Sequence, residues 1–153
     1  MERSLRATLL RGTFGQVPAA HSRRMRAIKE RGAKSTERRL RAMLVRAGLC
    51  GWQMHALGLP GKPDFVFPSA RLVIFCDGCY WHGCRRCAHH RTVNRRYWSA
   101  KIKGNQRRDR RNNRRLTQAG LRVLRIWEHE LSVGDSGRVI ARLKKLLAEQ
   151  PIG

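Results

Sequence analysis

Cys76, Asp77, Cys79, His82, Cys84 and Cys87 fall within one short stretch of the chain. Cys84 and Cys87 are separated by two residues, and Cys79 and Cys84 by four. Two-residue spacing lets neighbouring thiolates chelate one tetrahedral Zn²⁺. A closed structural site needs a fourth ligand, and His82, His89, His90 and His129 are the candidates. The plain alternative is a set of buried free cysteines. With five cysteines in all and no apolar secretory segment, ligands are expected rather than disulfides, in a reducing, cytosolic compartment. Cys50 stands apart from the set and reads as a small, partly buried residue.

A carboxylate opens the same region. Asp64 begins the apolar run Phe65-Val66-Phe67, and a second run, Leu72 to Phe75, ends at Cys76-Asp77. An aspartate at a strand start, with a second strand ending beside it, suits a hydrolytic Mg²⁺ site. Mg²⁺ takes hard oxygen ligands, usually one or two carboxylates completed by waters and phosphate oxygens. An ordinary histidine titrates in the range that a general base needs, which makes His82 the candidate. The structural alternative is a turn-forming aspartate after Pro63.

Tyr80, Trp81 and Trp98 lie in basic, loop-proximal sequence rather than in apolar runs. Aromatics among arginines suit stacking on bases or wedging between base pairs. Core packing is the alternative, and Trp98 fits it best.

The charge says what such a site would meet. The 153 residues carry 34 Lys and Arg against 10 Asp and Glu, a formal net charge of +24. Such an excess repels itself unless a polyanion neutralises it, and nucleic acid is the expected partner. No run approaches the roughly 20 apolar residues of a membrane span. Nor do the basic residues line one amphipathic helix with a bulky apolar face, which argues against a membrane surface.

These residues need positioning elements. Residues 1–21 read as a basic, disordered arm and 22–153 as a single domain. A short helix is expected near Arg23–Ile28. Ser35 reads as the N-cap of a second helix, on which Leu40, Met43, Leu44 and Ala47 recur at helical spacing before Gly48. Glu37 falls on the inward face of that helix, where a carboxylate needs a partner. Composition favours an arginine. Leu72–Phe75, a continuous apolar run, reads as a buried strand. A long helix is expected from about Tyr97 to Ala119. On it Trp98, Ile102, Asn105, Asp109, Asn112 and Leu116 form one stripe, with arginines and lysines on the other faces. Leu121–Trp127 is a further strand, followed by an amphipathic helix from Arg138 to Ala148. This order gives an α/β fold with a mixed sheet.

Several motifs together resemble the very short patch repair endonuclease family. They are Arg24–Ile28, Thr36–Leu40, Leu59-Pro-Gly-Lys-Pro-Asp-Phe-Val66, Val73-Ile-Phe-Cys-Asp-Gly-Cys-Tyr-Trp-His-Gly-Cys84, Tyr97-Trp98, Lys101-Ile102 with Asn105 and Arg108-Asp109, and Gly120–Glu128. The resemblance implies a restriction-endonuclease-like α/β fold, a mixed central sheet flanked by helices, with a structural zinc. It implies Mg²⁺-dependent nicking of one DNA strand 5′ to the thymine of a T:G mismatch, the lesion left when 5-methylcytosine deaminates. By position, Asp64 looks like the Mg²⁺ aspartate, and Cys76 would add its main-chain carbonyl. His82 matches the general base, Glu37 an acid near the metal waters and Asp109 a supporting acid. Asp77 stands where the best-known members have a histidine, and could add a carboxylate to the metal. Cys79, Cys84, Cys87 and His129 are similar to the zinc set. Tyr80, Trp81 and Trp98 look like a wedge beside the mismatch. Met25 resembles an intercalating residue, and Lys62 and Asn105 fall in matched motifs on the DNA side.

The expected partner is therefore double-stranded DNA with a T:G mismatch, with other repair proteins as further partners. The protein is expected to act as a monomer, cytoplasmic and nucleoid-associated. Rival readings are a same-fold nuclease of restriction or mobile-element cleavage, and a non-catalytic, zinc-stabilised DNA-binding module.

Overall fold

The computed structural model describes residues 19–87 and 93–149; within the first helix, the side chains of 19–22, 24, 25 and 28–33 lie outside the description. The chain divides into two units, Met1–Arg31 and Gly32–Gly153. The basic arm before residue 19, and His89 and His90, fall outside the described residues.

The first helix, α1, runs Ala19–Arg46. Ser35 is therefore mid-helix rather than an N-cap, and the separate short helix near Arg23–Ile28 is the earlier turns of α1. The reason is propensity. Residues 19–46 are rich in Ala, Arg, Lys, Glu, Leu and Met, and the one Gly32 costs only about 1 kcal/mol. The apolar periodicity begins only near Leu40, so pattern alone hides the earlier turns.

Four strands form one sheet in the order β1-β2-β3-β4: β1 Gln53–Met54, β2 Phe65–Phe67, β3 Leu72–Asp77 and β4 Arg122–Trp127. β1 is an addition to the sequence reading, too short to show a period. β1, β2 and β3 pair antiparallel, whereas β3 and β4 pair parallel from Leu72↔Arg122 to Asp77↔Trp127. A parallel pair needs a crossover. Here the crossover contains a single-turn helix, α2 (Cys79–His82), and the long helix α3 (Arg95–Gln118). A 3₁₀ turn, Glu128–Leu131, and helix α4, Ser136–Ala148, complete the chain.

The sheet is covered on both faces. Phe65, Phe67, Leu72, Ile74 and Ile126 pack with Leu40 and Leu44 of α1 and with Val139 and Leu143 of α4. The alternate residues Val66, Val73 and Phe75 pack with Leu116 of α3. Fully burying each such Leu or Phe contributes roughly 1.5–3 kcal/mol relative to leaving it exposed. The stripe on α3 faces inward as its spacing predicts: Trp98, Asn105 and Leu116 are buried, and Ile102, Asp109 and Asn112 half-buried. This is a mixed α/β sheet flanked by helices. No described helix is long and apolar enough to cross a membrane.

Candidate active site and metal centre

The parallel pairing of β3 and β4 builds the first cluster. Asp77 lies opposite Trp127, so the chain leaves both strands side by side. Cys79 and His129 each follow two residues later and meet there. His129 Nδ1 lies 3.2 Å from Cys79 Sγ, 3.6 Å from Cys84 Sγ and 3.5 Å from Cys87 Sγ. In a tetrahedron with the usual Zn–S and Zn–N bonds, S and N ligands stand about 3.6 Å apart. The four residues form a Cys₃His group that could hold zinc, and the donor set fits that ion. Burial foremost pushes the Cys79 thiol up to about 12, with neighbouring Cys84 and Cys87 adding to the shift. A bound dication would favour the thiolate instead. Glu128 braces the turn by accepting a hydrogen bond from the Cys79 amide at 3.3 Å. His82, a rival for fourth ligand, points elsewhere.

His82 belongs to a second cluster. Its Nδ1 lies 2.6 Å from Asp109 Oδ2 on α3 and 3.9 Å from Asp77 Oδ1 at the end of β3. The turn carrying His82 is held by α3 at three points. Asn105 Nδ2 donates to the Trp81 carbonyl at 2.9 Å, Gln106 Nε2 donates to the His82 carbonyl at 3.2 Å, and Asp109 takes the ring. Gly83 ends α2 with φ +70°. A Cβ there would lie 2.7 Å from Ile102 and 2.8 Å from Gln106, so only glycine lets α3 approach. Arg125 of β4 completes the cluster. Its Nη1 donates to both oxygens of Asp77 at 2.8 and 2.9 Å, its Nη2 lies 3.5 Å from Asp109, and its guanidinium stacks 4.3 Å over Phe75. Burial would raise the Asp109 carboxyl, but the His82 hydrogen bond and the charges of His82, Arg125 and Arg108 outweigh it and lower it. A cleft of about 610 Å³ opens beside this cluster, with His82, Asp109, Arg85, Arg110 and Arg125 among its walls.

The third cluster is Glu37, His55 and Asp64. Asp64 is half-buried, and its Oδ2 accepts the Cys76 amide at 2.6 Å. Burial first, then the nearby Glu37 and Asp77 carboxylates, raise Asp64 to about 7 against the lowering by that amide. Glu37 does lie inward, but its ion-pair partner among the described residues is His55, at 3.2 Å, rather than an arginine. Cys76 is followed at once by Asp77 at the end of β3, so that strand joins this cluster to the second. Cys76 turns its side chain to the core beneath, and burial pushes its thiol up. Lys62 is exposed in the turn before Asp64, with φ +53°.

Tyr80, Trp81 and Trp98 gather with Tyr80 T-shaped to both tryptophans and the two indoles tilted against each other, ring centroids 5.0–5.7 Å apart. Tyr97 joins them at 5.3 Å from Trp98, and Lys101 Nζ lies 5.5–5.7 Å from three of the rings. Trp98 is buried beneath the half-buried Tyr80 and Trp81. Met25 lies on α1, with its side chain outside the description.

Every candidate with a described side chain thus falls in one of these groups or beside one. Sequence reading gave no site role to His55, Arg125 or Tyr97, though the last two fall in matched motifs. His55 is a lone histidine in a Gly/Pro-rich turn, and only the β1–β2 pairing brings it to Asp64. Arg125 alternates with apolar residues as a solvent-facing arginine would.

The chain is similar to known proteins over most of its length. Residues 16–89 match the family model of the DNA mismatch endonuclease Vsr. The type II nicking enzyme V.NaeI of Lentzea aerocolonigenes is 42% identical over 124 residues, 78% of this chain and 74% of that protein. The type II nicking enzyme V.XorIIP of Xanthomonas oryzae pv. oryzae is 42% identical over 113 residues, 72% of this chain and 80% of the relative. The DNA mismatch endonuclease Vsr of Escherichia coli is 39% identical over 117 residues, 72% of this chain and 70% of the relative. With the α/β sheet and the Cys₃His group in place, the chain belongs to the Vsr family of DNA mismatch endonucleases.

Proposed function

We propose that this protein is a Mg²⁺-dependent endonuclease that nicks one strand of duplex DNA 5′ to the thymine of a T:G mismatch. The observation that carries the reading is the 2.6 Å His82–Asp109 bond, made beside Asp77 at the end of the strand whose Cys76 amide Asp64 holds. Asp109 fixes Nδ1 of the ring, which leaves Nε2 to take a proton from an attacking water and steadies the imidazolium that results. Asp64 would hold Mg²⁺ together with the Cys76 carbonyl, and Glu37 would reach the same ion, directly or through its waters. When bound, Mg²⁺ supplies positive charge to the phosphate oxygens and lowers the pKa of a bound water.

Specificity falls to the aromatic group. Tyr80 and Trp81 share the α2 turn with His82, so a step unstacked against those rings is presented to the base at once. Unstacking costs a few kcal/mol, and less at a T:G wobble than at a matched pair. Arginines on the outer faces of α3 neutralise phosphates. Cys79, Cys84, Cys87 and His129 would hold Zn²⁺, bracing the turn that carries both wedge and base.

The test is nicking of paired T:G and T:A duplexes, with Mg²⁺ and with chelator. Strand-specific cleavage of the T:G duplex alone, abolished by chelator, is expected. Equal nicking of both duplexes would favour a matched-site nuclease. Tight binding with no cleavage under any divalent ion would leave only a DNA-binding module.

A further inference from the structure

His55 has no role in the reading above, yet it completes a set of donors. β1 pairs with β2 through Met54↔Phe65. The residue after β1, His55, therefore lies across from Asp64, and its amide donates to the Asp64 carbonyl at 3.2 Å. His55 Nε2 is 3.2 Å from Glu37 Oε2. The nitrogen and the two carboxylate oxygens lie within 4.8 Å of one another, as ligands of one ion do. Adjacent ligands of an octahedral ion with bonds of about 2.1 Å stand about 3 Å apart, which the His55–Glu37 distance matches. The carboxylates come from a helix and a strand start, and the imidazole from a third segment. No single local turn explains the convergence.

We infer that His55 is a ligand of the cation held by Asp64 and Glu37, and that its nitrogen makes the centre favour Mn²⁺ over Mg²⁺. The inference rests on the Asp64 cation site proposed above and adds a donor to it. Mg²⁺ strongly prefers all-oxygen coordination. Ions of the first transition series accept an imidazole beside carboxylates, and Mn²⁺ keeps the oxygen preference that a nuclease centre needs. The 3.2 Å contact with Glu37 holds the ring at the site before any ion arrives. The side chain is 61% exposed, so the ring can turn toward an ion without repacking the core.

The experiment uses the full chain loaded with Zn²⁺ and titrated with Mn²⁺ alone, without DNA. Binding is followed by calorimetry and by pulsed electron paramagnetic resonance, which detects nitrogen bound to Mn²⁺. The variant is His55→Asn, because His55 has φ +52° and asparagine tolerates that conformation. Circular dichroism and the urea midpoint check its fold. The wild type is expected to show an imidazole nitrogen coupling. His55→Asn should lose it and bind Mn²⁺ at least about tenfold more weakly, with Mg²⁺ affinity changed less than about threefold. No nitrogen coupling in the wild type, or unchanged Mn²⁺ affinity in the variant, reduces His55 to an ion-pair partner and overturns the inference. Asp64→Ala separates the two levels. If it abolishes Mn²⁺ binding while His55→Asn does nothing, only the histidine assignment fails. If Asp64→Ala binds Mn²⁺ like the wild type, the Asp64 centre itself is wrong.

Discussion

Arg125 grips Asp77 through a single nitrogen, Nη1, which lies 2.8 and 2.9 Å from the two carboxylate oxygens. Asp77 is 4% exposed, so this charge has left water and depends on its partner. The same guanidinium reaches Asp109 at 3.5 Å and the Asn113 oxygen at 3.1 Å, which ties β4 to the helix that orients His82. Breaking a buried pair from one side strands a charge. Arg125→Met should lower stability by about 3–5 kcal/mol. Removing the acid as well, in Arg125→Met with Asp77→Leu, should recover most of that loss. Urea unfolding of the single and double variants measures both, and additive losses would show that the pair is not coupled.

The 2.6 Å bond from Asp109 fixes which His82 nitrogen is free. Asp109→Asn can donate to that ring nitrogen where the carboxylate accepted from it, favouring the other tautomer. Single-turnover nicking should slow by on the order of 10²–10⁴-fold. DNA affinity should stay within about threefold, because this carboxylate neutralises no phosphate. An equal loss of affinity and rate would point to a misfolded turn rather than a mis-set base.

Asp64 makes the pH dependence specific. Its carboxyl is raised by burial, and then by Glu37 and Asp77, to about 7 from an ordinary 3.8. The folded chain therefore holds this proton over a window where the unfolded chain has released it. The resulting stability is present below about pH 4 and is lost as the pH rises through about 7. Two outcomes are expected for protein free of Mg²⁺ and Mn²⁺ but loaded with Zn²⁺. Its urea midpoint should fall between pH 5 and pH 8 through this group, and Asp64→Asn should flatten that fall and be the more stable protein at pH 8. The same variant should nick no DNA. A variant that is both inactive and less stable at pH 8 would contradict the assigned direction of the shift.

What the sequence disclosed follows from which signals are local. Leu72–Phe75 declared a buried strand because both of its faces are covered. The α3 stripe could be read because one helix period runs unbroken from Trp98 to Leu116. Cys84 and Cys87 are close enough in sequence to read as a pair of ligands. His129 was one of four candidates until the parallel register set it beside Cys79. The first half of α1 reads only as a short helix near Arg23–Ile28, because a sequence rich in Arg and Lys carries propensity but no apolar period. Arg125 looked like the polar side of a strand, and what buries it is α3, distant in sequence. His55 had no local signal at all; a two-residue strand delivers it to Asp64.

Zinc should be structural and coupled to proton release. Because the Cys79 thiol without a metal lies near 12, it is protonated at pH 7, and ligation must expel that proton. Calorimetry in buffers of different ionisation enthalpy should show proton release on Zn²⁺ binding. A strong chelator should lower the melting temperature and remove T:G nicking together, since Cys79 begins the turn that carries His82. A chelated protein that keeps its melting temperature would place these four residues outside the folding core.

The aromatic group and the charge should separate in one experiment. With 34 basic side chains, affinity for any duplex is dominated by released counterions. If 6–10 phosphates are contacted, binding should weaken by about 10³–10⁵ between 50 and 200 mM salt, on matched and mismatched DNA alike. Trp81 lies outside that contribution. It packs 5.0 Å from Tyr80 and 5.7 Å from Trp98, and its carbonyl is pinned by Asn105. Trp81→Ala should leave the salt slope unchanged while cutting the preference for T:G over T:A, because the ring no longer repays the unstacked step. Base–aromatic stacking is worth about 1–3 kcal/mol, so a loss of roughly 5- to 150-fold in discrimination is expected. Fluorescence anisotropy across a salt series, alongside nicking rates on the two duplexes, reads both quantities. A changed slope with preserved discrimination would move Trp81 from the wedge to the phosphate contacts.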